Sequence, residues 1–215
     1  MSLFLECPFC HQSVFRLFMG WHMKKHTSLQ SDGQMTDHVT TREQERFKGS
    51  LHDVPQVYVH SVCGGVTGMP EEIIRSYLAN PFLYSHKTFC TGCNDYVHMG
   101  ECTWQETGEQ VLTYRRNLMK QHLGDRPLIN CTPAFITSAK DARSDQNAPD
   151  NSMLRLGVAF DGDQGRLDYS YVSDYKPETD WRKDFPELSV LVDYDESANH
   201  LYGKTFDFKN GEIAF

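Results

Sequence analysis

The chain has 215 residues, of which 39% are hydrophobic and 23% charged, enough for one large or two ordinary domains with a core. No apolar run approaches the roughly 18 residues of a membrane span, and the opening MSLFLECPFCHQ has neither the basic start nor the apolar run of a secretory signal. The expectation is therefore a cytoplasmic protein with no membrane segment. The net charge of −8 is unevenly placed: residues 1–140 carry 13 basic and 13 acidic side chains, residues 141–215 carry 8 and 16. An acidic last third repels phosphate backbones and weighs against nucleic-acid binding by the whole chain.

Seven cysteines are present. The odd count, the CxxC spacings and the opening sequence favour reduced thiols and metal binding over disulfides. The formal sequon Asn130-Cys131-Thr132 is discounted for the same reason.

Residues 1–30 read as a small C₂H₂-like module: Cys7-x₂-Cys10, eleven residues, then His22-x₃-His26. Residues four apart on a helix share a face, so both histidines reach one ion. The interval is one short of the usual twelve or so. Phe15, Phe18 and Met19 are the expected mini-core. The helix carries only Lys24 and Lys25 as basic residues. A lone finger lacks the contacts for tight specific DNA binding, so protein contact or structural support is the better reading. Residues 31–52 are polar and turn-rich and read as a linker or an extended wrap.

Residues 53–125 hold a second set, His60-x₂-Cys63 and Cys90-x₂-Cys93, with 26 residues between the knuckles, as in a zinc ribbon with one histidine ligand. Gly64, Gly65 and Gly92 suit tight knuckle turns. His86 and His98 are rival fourth ligands. A helix is predicted from Met69-Pro70-Glu71-Glu72, where proline and early acids favour an N-terminus, with Ile73, Ile74, Tyr77 and Leu78 on one face and a stop at Asn80-Pro81. A second helix is predicted over 108–123, followed by Gly124 as its C-terminal cap and by Pro127.

Soft and borderline ligands in closed sets of four, Cys₂His₂ and His-Cys₃, point to zinc. A catalytic zinc keeps three protein ligands and an open position beside a base. Both sets are full, so the prediction is structural zinc and no enzyme activity. Cys102 and Cys131 have no partner at metal spacing and read as core thiols.

Residues 128–215 change character: a short helix after Thr132-Pro133, the loop SDQNAPDNS, then strand-like runs over 154–160, 167–172, 189–193 and 204–208, with turns at Asp161-Gly162 and Asn210-Gly211. The fold class is α+β, small zinc modules followed by a β-rich domain. Asp161, Asp163 and Asp168 lack the bidentate glutamate of a calcium loop and read as a polar hairpin. No GxSxG, Walker, GxGxxG or HExxH motif occurs, and His122 and His200 stand isolated.

Two resemblances extend this reading. Residues 55–123 resemble a group of planctomycete-type bacterial proteins with a CGGxTGMPEEIIRSYLxNPFLYS…TFCxGC signature, which brings no activity with it. From Ile129 onward the chain resembles the HesB-like, A-type iron–sulfur carrier family: Thr132-Pro133-Ala134 at its opening helix, Leu154–Val158 as "LRLGV", Val190–Asp193 as "VLVD", and Leu201–Phe208 as "LxGxxxDF". Where the family has its first ligand cysteine this chain has Asp163, and the closing Cys-Gly-Cys is replaced by Gly211–Phe215. All three cluster thiolates are missing, and aspartate is too hard a ligand to replace them.

The resemblance therefore implies a degenerate carrier fold used as a scaffold. It also implies an unknown protein partner and, because such carriers self-associate, a homodimer through 128–215. The alternatives are nucleic-acid binding, with Lys24, Lys25, Arg42, Arg46, Lys48, Arg115 and Arg116 as the basic contribution, and a metal or cluster carrier with atypical ligands.

Overall fold

The computed structural model describes residues 2–161, 164–209 and 212–214. Helices and strands take near-equal shares, 29% and 31%, so the fold is mixed α+β. The chain divides into two compact units, Met1–Leu118 and Met119–Phe215.

The first unit opens with a hairpin, β1 (Phe4–Glu6) and β2 (Ser13–Phe15), whose connection is the Cys7–Cys10 turn; helix α1 (Met19–Thr27) follows. No residue of α1 is buried, and β1 is exposed throughout. Of the expected mini-core, Phe15 and Met19 are half-buried, with Phe15 packed against Phe4 at 5.6 Å and Phe18 at 6.0 Å. Phe18 is the N-cap of α1 and 61% exposed, because the short interval starts the helix at Met19 and leaves Phe18 off its ligand-bearing face. The ring that packs on the ligands is Phe9, stacked on His26 at 5.1 Å.

The ribbon region consists of β3 (Val57–His60), β4 (Val66–Gly68), α2 (Glu71–Ala79), β5 (Lys87–Cys90), β6 (Asp95–His98) and β7 (Cys102–Trp104). Strands order as β4-β3-β7 in one antiparallel sheet, and β5-β6 form a separate hairpin. Tyr58, Met99, Cys102 and Trp104 build a buried core with Val111 and Leu112 of helix α3 (Val111–Leu123). Trp104 meets Tyr58 and Tyr114 edge-on at 5.7 and 5.8 Å. Helix α2 ends at Ala79, where Asn80 turns the chain into a short 3₁₀ turn and accepts a hydrogen bond from the Phe82 amide at 3.1 Å.

Residues 31–52 contain no strand and only one short 3₁₀ turn, Glu43–Glu45. They lie as a strap along the ribbon. The Tyr84 hydroxyl donates to the Val39 carbonyl at 2.8 Å, the Thr41 amide to the Ser76 hydroxyl at 3.0 Å, and the Phe47 amide to the Arg75 carbonyl at 3.1 Å. A segment with no apolar period of its own is thus ordered by side chains of its neighbours.

The second unit takes in β8 (Asn130–Cys131), α4 (Pro133–Asp145), β9 (Met153–Asp161), β10 (Gln164–Val172), β11 (Asp180–Phe185), β12 (Leu188–Asp193), α5 (Ala198–Leu201), β13 (Thr205–Lys209) and β14 (Glu212–Ala214). One sheet orders β10-β9-β12-β11, with β12 parallel to β9; the other orders β14-β13-β8. Thr132 caps α4, accepting from the Phe135 amide at 3.2 Å. Phe135 and Phe206 pack at 5.5 Å, and the alternating Leu154, Leu156, Val190 and Val192 are all buried. Gly162, Asp163, Asn210 and Gly211, and with them parts of the predicted turns and of the aspartate cluster, lie outside the described residues.

Candidate metal centres

The first centre gathers Cys7, Cys10, His22 and His26 so that one ligand atom of each lies within 4.8 Å of the others. The hairpin turn supplies the thiols and one face of α1 supplies both imidazoles. Cys10 Sγ is 3.3 Å from His22 Nε2, and the two Nε2 atoms are 3.2 Å apart. Zinc–sulfur bonds of about 2.3 Å and zinc–nitrogen bonds of about 2.0 Å place the ligand atoms of a tetrahedron roughly 3.3–3.8 Å apart. The pocket therefore has the size of a tetrahedral shell around one ion of that class.

The second centre gathers His60, Cys63, Cys90 and Cys93 under the same 4.8 Å criterion. His60 Nδ1 lies 3.3 Å from Cys63 Sγ and 3.4 Å from Cys93 Sγ, and Cys63 and Cys90 sulfurs are 3.5 Å apart. His60 and Cys90 are buried, Cys63 and Cys93 exposed, so one side of this shell faces solvent.

Three turns in the two centres share one backbone form. The residue after Cys10, after Cys63 and after Cys93 takes a positive φ: His11 at 58°, Gly64 at 71° and Asn94 at 54°. The His11 amide donates to the Cys7 carbonyl at 2.9 Å and the Gly64 amide to the His60 carbonyl at 2.8 Å. His60 thus occupies the place that cysteine holds in the Cys7 knuckle. In the ribbon the two knuckles meet back to back: a Cβ on Gly92 would lie 2.9 Å from both Cys63 Sγ and the Gly65 Cα, and one on Gly65 would lie 2.9 Å from the Gly92 backbone. Only glycine fits at either position.

Each centre also has a carboxylate behind a histidine. His26 Nδ1 is 2.7 Å from Asp37 Oδ2, and His60 Nε2 is 3.4 Å from Glu101 Oε2. Such contacts fix the imidazole tautomer and leave the opposite nitrogen as a lone-pair donor. The two histidines use opposite atoms, Nε2 toward the first centre and Nδ1 toward the second. Neither carboxylate was visible as a candidate in the sequence, since Asp37 and Glu101 stand 11 and 41 residues from their partners with no spacing rule linking them.

The thiols carry the electrostatic signature of a shared shell. The Gly65 amide, donating to Cys63 Sγ at 3.2 Å, lowers the Cys63 pKa. Its contact with Cys63 pushes the Cys93 thiol up to about 12, and burial raises Cys10. Crowded thiols oppose one another's ionisation, and a divalent ion stabilises several thiolates together.

His86 and His98 lie outside both shells. Their rings pair with each other at 5.2 Å, and His98 Nδ1 accepts from the Gly100 amide at 3.0 Å as the cap of a 3₁₀ turn. Cys102 is buried in the ribbon core, and burial lifts its pKa to about 11; Cys131, in β8, is lifted by burial to about 12.

No helix of the described residues is long and apolar enough to cross a membrane. Comparison of the chain with family models, with curated proteins and with solved structures returns no match.

Proposed function

We propose that the chain is a non-enzymatic zinc protein whose two structural ions order the first unit as a platform for a protein partner. The observation that carries this reading is the pair of closed four-ligand shells, each with a carboxylate-backed histidine and neither with a position left for substrate. The soft, tetrahedrally sized sets favour zinc over harder divalent ions.

The second unit enters this proposal as a degenerate HesB-like scaffold, self-associating through 128–215. On this reading the opening helix is α4, which starts at Pro133 behind Thr132, the "LRLGV" run lies on β9, the "VLVD" run on β12, and Asp207-Phe208 on β13. The thiols of Cys102, buried, and Cys131, half-buried, have raised pKa values and offer no replacement for the missing cluster ligands.

The nucleic-acid alternative has less behind it. Arg42 pairs with Glu6, Arg46 with Glu72, and Arg115 is fully buried, its guanidinium donating to the Tyr84 carbonyl at 2.8 Å. Lys25 lies over the Trp21 ring at 4.5 Å, and with Lys24 it is what remains of the basic face of α1.

Elemental analysis with a visible spectrum tests the metal reading. About two zinc per colourless chain is expected from two closed sets of four ligands, whereas iron with sulfide, or a brown protein, would replace it with the carrier reading. Pull-down with the zinc-loaded chain, against the chelated chain as control, tests the adaptor role: a partner retained by the loaded form alone is expected, and retention of none refutes it.

A further inference from the structure

The first unit contains an apolar cavity of about 460 Å³ that neither metal centre uses. Its walls come from three parts of the chain: Met35 and Val39 from the strap, Ile73 and Tyr77 from α2, and Phe89 with Met99 from the ribbon. A cavity of this size lies within the range of small-molecule sites, which are apolar with a few placed polar groups.

Two of the hydroxyls in the cavity wall are engaged within the protein. The Tyr58 hydroxyl donates to the Phe89 carbonyl and accepts from the Thr88 hydroxyl at 2.8 Å, while the Tyr84 hydroxyl is spent on Val39. With most of the wall apolar, the body of an occupant is hydrocarbon. The flexible thioethers of Met35, Met69 and Met99 can refit around an occupant of irregular shape, as a flexible chain is.

Charge at the cavity has one sign. Lys87, exposed, and His38, half-buried, line it, and no aspartate or glutamate does. Neither side chain makes an ion pair or side-chain hydrogen bond among the described residues. An apolar cleft with an ammonium at its edge suits an apolar body ending in a single negative charge.

We propose that this cavity binds a medium-chain fatty carboxylate, its chain between the strap and α2 and its head at Lys87 and His38. The strap is also the segment that carries Asp37 to His26, so the same stretch forms a wall of the cavity and backs the first metal centre.

Calorimetric titration of the zinc-loaded full chain with sodium decanoate, below its micellar concentration, tests the proposal, with decanol and decyltrimethylammonium as comparators. Saturable binding of one decanoate per chain is expected, several-fold tighter than decanol and tighter still than the cationic amphiphile. Lys87→Glu should bring decanoate to the level of decanol and leave decanol unchanged. Val39→Trp, filling the cavity, should abolish binding of both with zinc content intact; if that variant loses zinc, Ile73→Phe serves in its place. Equal affinity for the three amphiphiles would overturn the assignment of the head group. Undiminished decanoate binding in a cavity-filled, zinc-retaining variant would overturn the site.

Discussion

Asp37 Oδ2 stands 2.7 Å from His26 Nδ1, joining the strap to the first metal centre through an exposed carboxylate and a largely buried imidazole. The contact holds the imidazole with Nε2 toward the other ligands, and it pins a segment that has no strand of its own. Outer contacts of this kind commonly govern metal affinity by about 10- to 100-fold. Asp37→Ala should weaken the first site by that order and leave the second unchanged. Competition against a chromophoric chelator, which resolves two affinities in the parent chain, measures both at once; an equal loss at both sites would contradict the assignment.

Gly65 and Gly92 face each other across the second centre with no room for a methyl group on either. Gly92→Ala places carbon 2.9 Å from Cys63 Sγ and the Gly65 Cα, and backbone cannot yield as a flexible side chain would. The variant should retain one zinc per chain, at the first centre, with the His60-Cys₃ ligands disengaged. Zinc content together with cadmium-113 spectra, which separate two-sulfur from three-sulfur shells, checks the outcome.

How far the sequence revealed these centres follows from what each part depends on. The eight ligands were legible because knuckle turns and a helical i, i+4 pair are local, and spacing alone defines them. The spacing also named His60, but it left His86 and His98 as rivals, and the choice among them rests on the turn shared with Cys7 and on β3 pairing β7 at His60–Cys102. Strand β11, Asp-Trp-Arg-Lys-Asp-Phe, was missed because it is a mostly exposed edge with no apolar alternation. Helix α4 runs to Asp145, further than the short helix expected, since its buried Phe135, Ala139 and Arg143 repeat at four-residue intervals that a mixed polar sequence disguised. Phe18 failed as a core residue because its position depends on where α1 begins.

The first module has little besides metal to hold it. Cys7 is fully buried, but no residue of β1 or α1 is. Apolar burial therefore contributes little, and ion binding, on the order of 10 kcal/mol for a structural zinc, supplies the folding free energy. Chelation at neutral pH should collapse the dispersed amide signals of residues 4–27 while those of β9, β10 and β12 persist. Loss of the β9–β12 signals at the same chelator concentration would show instead that the second unit depends on the metal.

In the second unit, Lys209 at 2.8 Å and the Thr132 hydroxyl at 2.6 Å hold the Asp207 carboxyl down to about 2 from the usual 3.8. A depressed folded-state pKa gives stability that is complete above the ordinary aspartate range and lost as pH falls through about 2. Because Thr132 is also the N-cap of α4, protonation should loosen that helix end first. Protection of the α4 amides, taken relative to their intrinsic exchange rates, should fall between pH 4 and 2 in the parent chain, and Asp207→Asn should flatten that dependence. An identical pH profile in the variant would remove Asp207 from the cap.

Asp180 has no exposed side-chain surface and takes both Arg155 nitrogens, at 2.7 and 2.9 Å, and the Lys176 amide at 2.9 Å. The pair ties β9 to β11 across β12, which lies between them in the sheet. Removing one partner leaves the guanidinium and an amide without their acceptor, and truncating half of a buried pair costs about 3–5 kcal/mol. Arg155 keeps a 23% exposed side chain, so water relieves part of the loss and the lower end applies. Asp180→Ala should therefore lower second-unit stability by about 3 kcal/mol in urea unfolding with an unchanged m-value. Replacing both residues, Arg155→Met with Asp180→Leu, should recover most of that, because a pair's desolvation cost offsets much of its attraction. A double variant as unstable as the single one would mean that Asp180 acts through the Lys176 turn rather than through the ion pair.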